Sequence, residues 1–75
     1  MQTEDIKITT EYIKLDQLLK FSGIAESGAD AKDMILDGIV YVNGEICYMR
    51  GKKLRPGDFA EVRADGEIYR INVGV

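Results

Sequence analysis

The apolar positions of the chain first recur with a helical period and then with a period of two. Leu15, Leu18 and Leu19 stand at i, i+3 and i+4, and Ala31, Met34 and Ile35 repeat that spacing. Each set forms one apolar stripe of a short helix. Lys14, Asp16, Gln17 and Lys20 lie off the first stripe, and Phe21 falls at its margin. Asp30, Asp33 and Asp37 gather opposite the second stripe, and Lys32 flanks it. Local signals mark the helix ends. Gly23 and Gly38 suit the left-handed residue that closes a helix, with Ile24 and Ile39 placed to touch Leu19 and Met34. Ser27 with Asp30 has the spacing of a capped start. The first helix is predicted from about Leu15 to Ser22, although Thr10 could also cap a start at Glu11.

Strand signals surround this pair. Residues 5–10 alternate apolar and polar and predict a short edge strand. Residues 39–42 are apolar and β-branched, Asn43-Gly44 is a strong hairpin turn, and an apolar return follows over 46–49. Arg55-Pro56-Gly57-Asp58 has the residues of a tight turn. Residues 59–63 and 67–73 form two further strands joined at Asp65-Gly66. The pattern predicts an α+β domain with two short helices packed on a small antiparallel sheet of about five strands.

Length narrows the chemistry. Seventy-five residues make a single domain, 1–75, without linker or repeat. A chain of this size has little room for an enclosed cavity beside its core. The opening residues carry acids and no long apolar run, so neither an export signal nor a membrane span is expected. With one cysteine, Cys47, no internal disulfide can form, and the cytoplasm is the expected compartment. Cys47 itself reads as a small buried hydrophobe.

Thirteen acids against ten bases give a net charge of −3, yet exposed charges are screened beyond about 8 Å at physiological salt. Local clusters therefore matter more than the sum. Arg50, Lys52, Lys53 and Arg55 fall within six residues, and Lys14, Lys20 and Lys32 lie on or beside the helix pair. A basic face on an acidic protein is possible.

The order of elements and their junction residues resembles the S4 RNA-binding domain. The match runs from Lys14-Leu15-Asp16 with Leu18-Leu19 through Gly23, Ser27, Ala31, Ile35, Gly38, Val40 and Val42-Asn43-Gly44. It ends at Arg50-Gly51-Lys52-Lys53-Leu54-Arg55-Pro56-Gly57-Asp58 and covers roughly residues 11–63. The ending is most similar to short stand-alone S4 proteins of the YbcJ/YaaA type, which carry no catalytic domain. The resemblance implies an αL-motif fold in which the helix pair and following hairpin face structured RNA, plausibly ribosomal RNA. Two departures stand out: Lys14 occupies a place where many S4 domains carry Arg, and Ser27 is flanked by Glu26 and Gly28 rather than by Arg.

Phosphate neutralisation by Lys and Arg supplies much of the affinity for RNA. Arg50, Lys52, Lys53 and Arg55 suit that role, and Gly51 permits close backbone approach; the alternative is a solvated turn. Lys14, Gln17 and Lys20 can offer phosphate and 2′-hydroxyl contacts from one helix side. Phe21 could stack on an unpaired base, but a core-edge aromatic is the better reading. Ser27 and Gly28 could bind a phosphate through free N–H groups, but capping alone accounts for them and Asp30 would repel the anion. Asn43 and Gly44 are required by the turn whatever lies beside it. Tyr41 and Tyr48 read as sheet-surface or core residues, and the three aspartates of the second helix as a solvated face rather than a metal site. With Lys32, these give the expected RNA contacts: Lys14, Gln17, Lys20, Ser27, Gly28, Lys32, Asn43, Arg50, Gly51, Lys52, Lys53 and Arg55.

The chain contains no histidine and therefore no His-dependent triad or zinc site, and it has no phosphate-binding glycine loop. An enzyme is not expected, nor a cofactor. A ubiquitin-like carrier would end in Gly-Gly, whereas this chain ends Asn72-Val73-Gly74-Val75. A protein-interaction adaptor or small carrier module without RNA affinity remains the alternative. The expected partner is structured RNA, with proteins of the ribosomal particle next and no membrane, and the expected state is a monomer.

Overall fold

Alternation along the later strands sends Val40, Val42, Ala60, Val62, Ile71 and Val73 to one side, and all six are buried. The two helical stripes close over them: Leu15, Leu18, Leu19, Ala31 and Ile35 are wholly enclosed in the same core. The computed structural model describes all residues, Met1–Val75. Its elements are β1 (Gln2–Lys7), β2 (Ile13–Lys14), α1 (Leu15–Phe21), α2 (Gly28–Leu36), β3 (Val40–Val42), β4 (Glu45–Ile46), β5 (Lys53–Leu54), β6 (Phe59–Ala64) and β7 (Glu67–Gly74). No helix is long and apolar enough to cross a membrane.

The main sheet has the order β1-β7-β6-β3-β4, and β2 pairs with β5 in a separate two-stranded ribbon. This is the expected α+β architecture, with the sheet mixed rather than wholly antiparallel. Strand β1 runs parallel to β7, with Gln2 opposite Tyr69 and Lys7 opposite Gly74. The parallel pairing is possible because α1, α2 and the intervening strands supply the long crossover it needs. Strand β1 also begins and ends earlier than the expected 5–10 segment, since Ile8 turns inward to the core. After Asn43-Gly44 the return strand is shorter than expected and stops at Ile46. Cys47 is half-buried, its N–H donating to the Val40 carbonyl at 2.9 Å and its side chain packed against the core.

Both helix closures use the glycines expected. Gly23 and Gly38 have φ of 82° and 78°, and their N–H groups donate to Lys20 and Ile35 carbonyls, each at 3.1 Å. Next to Gly23 the wider closing bond reaches the Leu19 carbonyl from Ala25 rather than Ile24. Ile24 N–H faces the Ser22 hydroxyl instead, at 3.4 Å. Thr10 caps no helix; its hydroxyl donates to the Tyr12 carbonyl at 2.8 Å.

Candidate nucleic-acid interface

Helix α1 begins without a side-chain cap. Lys14 holds the capping position in extended backbone, and its side chain accepts nothing. The first amides of a helix need acceptors, and a lysine has none to give. They are met by carbonyls of the 50–55 segment: Leu15 N–H donates to Lys52 at 2.8 Å and Asp16 N–H to Arg50 at 3.1 Å. The basic segment is therefore fastened across the start of α1 as a strap.

The ribbon beside it fixes which side chains share a face. Ile13 lies opposite Leu54 and Lys14 opposite Lys53. Ile13 and Leu54 are buried, so strand alternation turns Lys14 and Lys53 outward together. Tyr12 joins them: the Lys53 ammonium lies 4.7 Å from its ring centroid and the Arg55 guanidinium 6.0 Å. The aromatic face offsets some of the repulsion among these cations, each such contact being worth about 0.5–1 kcal/mol at an exposed site. Tyr12 was absent from the residues nominated by sequence. Its signal was the period of two that puts it on the side of Lys14, but the strand is too short to reveal that period unaided.

The remaining candidates are placed differently. Arg50 and Lys52 are exposed on the strap, and Gly51 between them has open space where a Cβ would be. Arg50 meets Asp16, its Nε lying 3.3 Å from Oδ2, which reduces the charge it offers. Gln17 is exposed one turn along α1 from Lys14, and Lys20 lies exposed in the last turn. Lys32 is exposed on α2, and no hydrogen bond or ion pair joins it to the strap. Ser27 accepts from Asp30 N–H at 3.1 Å, while the Asp30 carboxylate takes Glu26 N–H at 3.1 Å. A carboxylate thus sits at the α2 start beside Gly28. Asn43, with φ of 51°, donates to Asp58 at 3.2 Å and accepts Phe59 N–H at 3.0 Å. Asp58 also accepts Arg55 N–H at 2.8 Å, closing the turn that follows the strap.

Phe21 corrects the sequence reading. It is 74% exposed and not part of the core edge. It is the last residue of the seven-residue α1, at the margin of the apolar stripe, and its ring is left open to solvent. Phe21 instead lines a groove of about 590 Å³ between α1 and residues 7–14, with Lys7, Thr10, Tyr12, Lys14 and Gln17. No carboxylate lines this groove, whereas each of the three other main surface depressions includes a glutamate.

The helix-free face of the sheet is organised otherwise. Arg63 stacks on Tyr41 at 4.0 Å and Arg70 on Phe59 at 3.7 Å. Arg63 also donates to the nearly buried Glu61 at 2.8 Å, and that carboxylate holds the Arg63 proton more firmly than usual. Its arginines are engaged with the sheet. Tyr48, by contrast with Tyr41, is mostly exposed, its hydroxyl resting against Gly38.

A small α+β domain with a lysine- and tyrosine-bearing ribbon strapped to a short helix has the form of a compact nucleic-acid-binding module. The model of the S4 domain family matches residues 6–72, and the chain belongs to that family of RNA-binding domains. It is also similar to the "Probable ribosome maturation protein RlbA" of Bacillus subtilis (strain 168). The two are 39% identical over 67 residues, which cover 89% of this chain and 94% of the relative.

Proposed function

We propose that this is a non-catalytic, cytoplasmic RNA-binding protein that recognises structured RNA, ribosomal RNA foremost, as a monomer. The reading places contact on one face made by the ribbon, the strap and the open side of α1. The single observation that carries it is the pairing of Lys14 with Lys53, flanked by Tyr12 and Arg55. Residues distant in sequence thereby share one cationic surface on a chain of net charge −3. Lys14, Gln17, Lys53 and Arg55 form its centre, with Arg50, Gly51 and Lys52 along the strap. Lys20, Lys32, Ser27, Gly28 and Asn43 are peripheral. The name of the similar Bacillus protein supports a ribosomal context, in which proteins of the particle would be neighbours.

The test is charge reversal at two exposed strap residues. Lys52→Glu with Lys53→Glu is expected to abolish binding to ribosomal RNA fragments while leaving the melting transition nearly unchanged, because exposed substitutions cost little stability. Affinity of the wild type should fall with salt at a log–log slope of about −0.7 to −0.9 per phosphate contacted. Binding that ignores both salt and the two reversals would mean the face serves another partner.

A further inference from the structure

We infer that the groove beside α1 seats one unpaired nucleotide of an RNA, with its base stacked on Phe21 and its phosphate held by the lysines at the groove's rim. The inference rests on the RNA-binding reading and adds a ligand feature to it. Phe21 is the most exposed large apolar side chain away from the chain ends, at 74%. Its ring stands in a depression shared with Lys7, Lys14, Gln17 and Tyr12, in which no acid takes part. The combination of a bare aromatic face, cations and hydrogen-bonding side chains matches the two surfaces of a nucleotide, a flat base and an anionic phosphate.

Geometry excludes a paired base. In an A-form duplex both faces of each interior base are covered by neighbours, so an aromatic ring reaches only bases in loops, bulges and ends. A protein occupant fits less well. One phenylalanine presents roughly 150–250 Å², whereas a stable protein interface needs about 800 Å² from each partner. The rim of lysine, threonine and glutamine also lacks the apolar continuity of such an interface. Away from the chain ends the other exposed large apolar residues are Leu36, Ile46, Tyr48 and Met49, and none of them lines this groove.

The experiment compares a blunt-ended RNA duplex stem bearing one bulged adenosine with the same stem fully paired, using the full chain. Wild type should bind the bulged stem about ten-fold more tightly, the scale of one base stacked on an aromatic ring. Phe21→Leu should abolish this preference while binding the paired stem as wild type does, and Phe21→Trp should restore it. Because the ring is exposed, both variants should melt as wild type. If wild type binds the two stems equally, or if Phe21→Leu keeps the preference, the stacking site is wrong and the basic face stands. If neither stem binds, the RNA-binding reading falls and the stacking site with it. If sedimentation shows a dimer that Phe21→Leu dissociates, the groove's occupant is a second copy of the chain, and the inference is overturned.

Discussion

Asn43 joins two strands through one side chain. Its left-handed backbone, its bond to Asp58 and its acceptance of Phe59 N–H all depend on the same short amide. Alanine would lose both side-chain bonds and tolerate the positive φ less well. Asn43→Ala is expected to destabilise the fold by about 1–3 kcal/mol in urea titration. Any loss of RNA affinity in that variant should track the loss of folded protein, which would separate Asn43 from Lys53. The dependence of the hairpin on Asn43-Gly44 was legible in the sequence, because turn sterics select those two residues locally. The long-range bridge to Asp58 was not, since nothing near Asn43 specifies which acid lies across the gap. Phe21 illustrates the same limit: helical period places it at a margin, but only the surroundings decide whether a marginal residue is covered.

At the scale of elements, the strap and the helix ends use glycine for different reasons. Gly38 needs its positive φ, and an added Cβ would lie 3.3 Å from the Tyr48 hydroxyl. Gly51 has no positive φ and nothing within 4 Å of a Cβ. Gly38→Ala should therefore cost about 1 kcal/mol or more, while Gly51→Ala should alter stability by less than about 0.5 kcal/mol, both read by thermal or chemical unfolding. Loss of RNA binding in Gly51→Ala without loss of stability would mark the strap backbone as a contact point. The helices themselves were readable because stripe and closing glycine agreed in both, and a side-chain cap marked the start of the second. The strap was not readable as part of α1. Its carbonyls replace a side-chain cap, and such backbone-to-backbone satisfaction leaves no residue signature. The two-residue ribbon is likewise too short to show a period, so the register joining Lys14 to Lys53 had to come from the fold.

At the scale of the molecule, arginine and lysine are divided between two faces. On the helix-free face of the sheet, Arg63 is engaged with Tyr41 and Glu61. Removing its side chain would leave Glu61, only 7% exposed, without that partner. Arg63→Ala is expected to lower the melting temperature, because the enclosed Glu61 carboxylate loses its partner. RNA affinity and its salt slope, measured where the variant is fully folded, should not change. The ribbon and strap instead carry exposed cations, Lys14, Arg50, Lys52, Lys53 and Arg55, clustered on a chain whose net charge is negative. Composition alone pointed the other way, because a sum over residues keeps no record of which charges are already matched.

The parallel seat of β1 against β7 has a consequence for how the domain comes into being. Asn72 donates to Asp5 across a separation of 67 residues, and β7 lies between β1 and β6. On a translating ribosome the first strand would therefore wait, with no neighbour to zip onto, until nearly all of these residues had cleared the exit tunnel. The helices and β3 can gather earlier, but the sheet closes late, and release from the tunnel sets the earliest moment at which its first strand can be held.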